Sequence, residues 1–140
     1  MKVLATIPKE LTVEDLFNQQ EKLGRKGLWN LTMQYPMEAI FVVREVPISK
    51  LYPYGYAPGG DPSKHFTRTN KLSATDNRVI DKLKKRIETN QEVYPVIVAG
   101  NYEVLDGWHR LVAYRELGVD KVRVYVPKKG TLTRKQMMDA

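Results

Sequence analysis

Tyr102-Glu-Val-Leu-Asp-Gly-Trp-His-Arg-Leu-Val-Ala-Tyr-Arg-Glu-Leu-Gly118 passes from strand to helix within one tight turn. Val104 and Leu105 are β-formers that follow the Gly100-Asn101 turn signal. The chain breaks at Asp106-Gly107, and Leu111, Val112, Tyr114 and Leu117 then recur at helical spacing. Gly118 stands where a helix stop belongs. A strand, a glycine turn and a helix start together make an anion site in principle. Glycine lets the backbone approach a ligand, and the first-turn N–H groups of Trp108, His109 and Arg110 lack intrahelical partners. Arg110 adds a planar fork suited to phosphate oxygens, and His109 a titratable donor. Spacing alone leaves a plainer reading open: Asp106 as an N-cap, Gly107 as a turn residue, His109 and Arg110 as a solvated first turn.

Asp106-Gly107-Trp108-His109-Arg110, continued by Leu111, Ala113, Leu117 and Gly118, resembles the second signature box of the ParB/sulfiredoxin superfamily. That box reads Gly, then Glu, Arg, His or Cys, then Arg or His, then Arg. Val46-Pro-Ile-Ser-Lys-Leu-Tyr-Pro53 is similar to the family's opening strand. Residues 79–98 look like its helix, turn and strand, and residues 119–126 like its closing strand. The likeness therefore covers roughly residues 44–127, in the family's order. It implies an α+β domain in which Gly107, Trp108, His109 and Arg110 hold nucleotide phosphates, with Asp106, Tyr94 and Pro95 beside the nucleotide. Relatives often carry Gln-Pro where this chain has Tyr94-Pro95, so the likeness does not name the base. The implied ligand is ATP, ADP or CTP. Cysteine is absent, and Trp108 stands where sulfiredoxin chemistry needs one, which excludes that activity.

The chain's 140 residues fit one domain with a real core. A net charge of +7 favours polyanionic partners such as DNA. No run approaches the ~20 apolar residues of a membrane span, and the start is too short for a signal peptide. The lack of cysteine fits a reducing cytoplasm. Two distant histidines make no case for a built-in metal site; magnesium carried by a nucleotide remains compatible, because that ion coordinates phosphate and water.

Three segments follow: an N-terminal extension at 1–38, a ParB/sulfiredoxin-like domain at 39–127 and a basic tail at 128–140. In the extension, residues 1–11 read as an extended lead-in. Thr12 to Asp15 resembles a capping box, and Val13, Leu16, Phe17 and Leu23 make the apolar stripe of a helix ending near Gly24. Arg25-Lys26-Gly27 is a basic turn. Residues 28–35 fit a short helix or a strand, and Pro36 ends either. The extension is expected to cap a sheet edge, lid a pocket or contact a protein partner.

Strands are expected near 40–48, 95–99, 102–105 and 121–126, and helices at 75–89 and 108–117. Val122, Val124 and Val126 alternate with Lys121, Arg123 and Tyr125. Residues 54–72 hold three glycines and two prolines and form a long loop, a common place for function. In superfamily relatives that phosphorylate free serine, an acid from this region is the general base. Asp61 is the matching candidate here, with Lys64, His65 and Arg68 placed to meet phosphates. Ser73 to Asp76 repeats the capping-box pattern before a helix carrying Lys82, Lys84, Lys85 and Arg86, either a solvated face or a nucleic-acid contact. Three functions are thus in play: a nucleotide-binding module acting as an NTPase or phosphotransferase, a DNA-binding or nuclease-like accessory protein, and an interaction protein whose site Trp108 has filled.

Overall fold

The structure, a computed structural model, describes residues 7–22, 29–53, 65–91 and 93–139. Leu23, Gly24, the turn at 25–27, Asp61 and Lys64 lie outside the described residues. The expected α+β class is what the chain adopts. The elements are β1 (Glu10–Thr12), α1 (Val13–Lys22), α2 (Trp29–Gln34), β2 (Ile40–Pro47), α3 (Ala74–Glu88), β3 (Val96–Val98), β4 (Val104–Asp106), α4 (Trp108–Glu116), β5 (Lys121–Pro127) and α5 (Arg134–Asp139). The sheet order is β1-β2-β5-β3-β4. The β3–β5 pair is parallel and the other pairs are antiparallel.

Alternation along the strands sends side chains into two cores. Val96, Val98, Val104, Val122 and Val124 face α3 and α4, where Ile80, Leu83, Leu111, Val112 and Ala113 meet them. Phe41, Ile97, Leu105 and Tyr125 face the opposite way and are covered by Val13, Leu16 and Leu31 of the N-terminal extension. Tyr125 is fully buried there. The side of β5 that carries Lys121, Arg123 and Tyr125 is therefore a second core at Tyr125, because α1 and α2 supply its other half.

The extension also caps the sheet. Glu10–Thr12, within the expected lead-in, pairs with β2 as an edge strand. Residues 29–34 resolve as helix, which places Leu31 in the core and leaves Trp29 and Met33 outside. Both capping patterns form. Thr12 and Asp15 exchange reciprocal bonds, each backbone N–H donating to the other's side chain at 3.1 Å. Ser73 Oγ accepts from the Asp76 N–H at 3.0 Å. At the far end of α4, Gly118 takes φ +75 and closes the helix as a left-handed stop.

Candidate functional site

The β3–β4 register fixes where the turn sits. Ile97 pairs with Asp106 and Val98 with Val104. Residues 99–102 therefore turn at one end of the sheet, and Gly107 opens α4 at the other. Gly107 has φ +124, and a Cβ there would lie 2.8 Å from Val96 Cγ2. The space that glycine was expected to keep for a ligand is filled by Val96. Glycine is needed for packing and for backbone conformation.

Arg110 requires a second correction. It was expected to present its fork to phosphate, yet it is only 1% exposed. Its Nη1 donates to the carbonyls of Tyr94 and Pro95, each at 2.9 Å, and its Nη2 to Asp106 Oδ2 at 2.7 Å. The physical reason is the end of β3. The carbonyls of Tyr94 and Pro95, just before β3, point at α4, and a buried guanidinium donates to both. Tyr94, Pro95 and Asp106, expected beside a nucleotide, are thus the receivers of Arg110. This brace ties the entry of β3, the end of β4 and the start of α4 into one block.

His109 points elsewhere. Its Nε2 lies 2.7 Å from Asp76 Oδ1, with both side chains 38% exposed. Asp76 Oδ2 accepts from Ser73 Oγ at 2.7 Å. The His109 contact, followed by the Ser73 bond, holds the Asp76 carboxyl below the usual carboxylate range. The contact brings the N-termini of α3 and α4 together. Both helices direct positive dipole ends toward that place, with the Asp76 N–H of α3 already capped by Ser73. The first intrahelical bond of α4 runs from Leu111 N to Gly107 O at 3.0 Å, so the helix gives the N–H groups of Trp108 and His109 no partner. Trp108 stands edge-on to His109, with ring centroids 5.4 Å apart, and its indole leans on the α3/α4 core. Asp76 was legible as a cap but not as the partner of His109, since 33 residues separate them.

The remaining candidates are dispersed. Arg68 is drawn into an ion network with Glu116 at 2.6 Å and with Asp81. It clamps the 65–72 segment onto α3 and α4. Lys84 joins through Glu116 at 3.2 Å. The carboxyls of Glu116 and Asp81 are lowered by hydrogen bonds from Arg68. Lys82, Lys85 and Arg86 are exposed along α3. His65 is buried, and its carbonyl accepts from Arg115 Nη1 at 2.8 Å. Among the described residues, no group of three or more His, Cys, Asp or Glu could hold a metal ion, and no helix is long and apolar enough to cross a membrane. A cleft stands apart from the turn. It has a volume of about 860 Å3 and lies at the other end of the sheet, against the 99–102 turn.

Residues 62–139 match the ParB N-terminal domain family. Two solved structures are similar: the C2221 crystal form of a Pnob8-like ParB N-domain, at 22% identity and TM-score 0.42 over 63% of this chain and 30% of that one, and a pNOB8-like ParB N-domain, at 22% identity and TM-score 0.41 over 62% and 27%. The chain spans less than a third of the length of either. No curated protein matches it.

Proposed function

The chain belongs to the ParB N-terminal domain family, and from that premise we propose that it binds the phosphates of a nucleotide at the joined N-termini of α3 and α4. The observation that carries this reading is the His109–Asp76 contact at 2.7 Å. It gathers two helix dipoles and a polarised imidazole at one half-exposed place. The N–H groups of Trp108 and His109 are the phosphate donors, and in its imidazolium form His109 adds a side-chain donor through Nδ1. Arg110 serves as the brace beneath, not as a ligand. Asp76 places a negative charge beside the turn, so the reading favours a magnesium-bound nucleotide over the bare anion. In the phosphotransferase form of the reading, Asp61 accepts the proton of the acceptor hydroxyl, and Asp61→Asn would abolish turnover without weakening binding.

Calorimetric titration with ATP, ADP, CTP and GTP, with and without magnesium, tests the reading on the wild type and on His109→Ala. One nucleotide should bind, and the variant should lose roughly tenfold to a hundredfold in affinity, the range for a hydrogen bond to a charged group. Failure of every nucleotide to bind a folded wild type contradicts it.

A second reading, contact with DNA through α3, is favoured by the exposure of Lys82, Lys85 and Arg86 on one helix. It predicts binding that falls steeply with salt and that Lys82→Ala/Lys85→Ala weakens.

A further inference from the structure

We propose that the surface formed by α2 and α5, with the cleft beside it, docks an acidic polypeptide segment that carries apolar anchors. Trp29 is 75% exposed and Met33 65%; four residues apart on α2, they share one face. The adjoining C-terminal segment shows Leu132, Met137 and Met138 to solvent, the last 84% exposed. The two elements are held together, since Arg134 Nε donates to the Thr32 carbonyl at 2.8 Å. Large apolar side chains gathered on adjoining elements mark interaction sites. Tryptophan and methionine are the types enriched there, the second because it adapts its shape to a partner.

The surroundings define the partner. The cleft of about 860 Å3 is lined by Gln34 at the end of α2, Gln136 of α5 and the cations Arg44, Lys50, Lys128 and Lys129. Glu45 is the one acid among its described lining residues. Lys128 reaches Glu10 at 3.6 Å, a pair half-exposed on both sides and correspondingly weak. The surface thus pairs an apolar strip with a basic trough. Nucleic acid fits the trough and leaves the strip facing phosphates, whereas nucleic-acid interfaces are polar. A second copy in a two-fold contact covers the strip and brings two basic troughs together, which repel. A segment with carboxylates beside aromatic or aliphatic anchors suits both parts at once. Leu31 of α2 packs in the core on one face of the sheet and α4 in the core on the other, so the surface does not depend on the nucleotide reading.

Selection from a phage-displayed library of random short peptides tests the proposal on the whole chain, with rejection of clones that also bind Trp29→Ser/Met33→Ser. Both positions are exposed, so that variant keeps the fold, which circular dichroism verifies. Enriched peptides should combine Asp or Glu with aromatic or leucine anchors. They should lose roughly tenfold or more in affinity against that variant and against Lys128→Glu/Lys129→Glu. Enrichment of basic or neutral peptides, equal binding to both variants, or no enrichment above background overturns the proposal. So does a wild-type dimer in sedimentation that Trp29→Ser/Met33→Ser dissolves, which would assign the surface to a second copy. Tighter binding of a single-stranded oligonucleotide than of any selected peptide, lost in Lys128→Glu/Lys129→Glu, would assign it to nucleic acid.

Discussion

The two ends of the sheet use their cations in opposite ways. At the α4 end, the arginines are held by the protein itself: Arg110 by two strand carbonyls and Asp106, Arg68 by Glu116 and Asp81. At the cleft end, Arg44, Lys50, Lys128 and Lys129 stand on an open surface beside exposed apolar side chains. The basic residue that most resembles a ligand in the sequence builds the site rather than forming its surface. Of the cations beside the cleft, Lys128 and Lys129 lie in a segment that carries no motif. Among the described residues, what remains for an anion at the α4 end is backbone N–H, helix dipole and one histidine.

The largest effect that would break this contrast is at Arg110. Removing it takes a charged donor from the Tyr94 and Pro95 carbonyls and from Asp106. Arg110→Ala should cost about 3–5 kcal/mol, the range for deleting one member of a buried pair, read as a lowered urea midpoint. Arg110→Lys should recover little, since one ammonium cannot reproduce the fork. An Arg110→Ala protein of wild-type stability would return Arg110 to the role of a surface ligand.

Gly107→Ala comes next. The new Cβ meets Val96 and the backbone keeps its positive φ, for about 2–4 kcal/mol in all. Combining it with Val96→Ala should relieve the clash and leave the backbone strain. An unchanged melting temperature for Gly107→Ala alone would show that the turn can move aside.

A pH effect of about 2–3 kcal/mol tests the second core. Burial pushes the Tyr125 phenol up to about 12, while an unfolded tyrosine ionises near 10. The raised value means the stabilisation is intact below pH ~10 and is lost as pH rises toward ~12. Denaturation across that window should show the fall, and Tyr125→Phe should flatten it. A wild-type curve no steeper than the variant's would remove Tyr125 from the buried set. The smallest effect is expected at Arg68, where Arg68→Ala removes a partly exposed network worth about 1 kcal/mol. With the carboxyls of Glu116 and Asp81 lowered by that network, its contribution is present above their unfolded values. It fades as pH falls through the lowered ones, so the wild type and Arg68→Ala should converge in acid.

Much of the framework was legible because its signals are local. The Thr12/Asp15 and Ser73/Asp76 caps, the alternation from Val122 to Val126 and the Asp106-Gly107 break each declare themselves within a few residues. The direction of Arg110 was not legible. A third helical residue reads as exposed until the sheet brings the 94–95 carbonyls beneath it. The His109–Asp76 contact and the cleft were hidden for the same reason, since topology assembles both from distant segments. The short stretch at 28–35 fitted two periods equally well, and only the burial of Leu31 with exposure of Trp29 and Met33 decides it.

Phosphate held at the α4 end by backbone amides has a direct readout in solution. Amide chemical shifts should be recorded by NMR while magnesium-nucleotide is added to the 15N-labelled protein. The largest changes should fall on Trp108 and His109, with Ser73 to Asp76 following. Saturable changes at 99–102 and 128–133, with Trp108 and His109 unmoved, would place the nucleotide in the cleft and contradict the account.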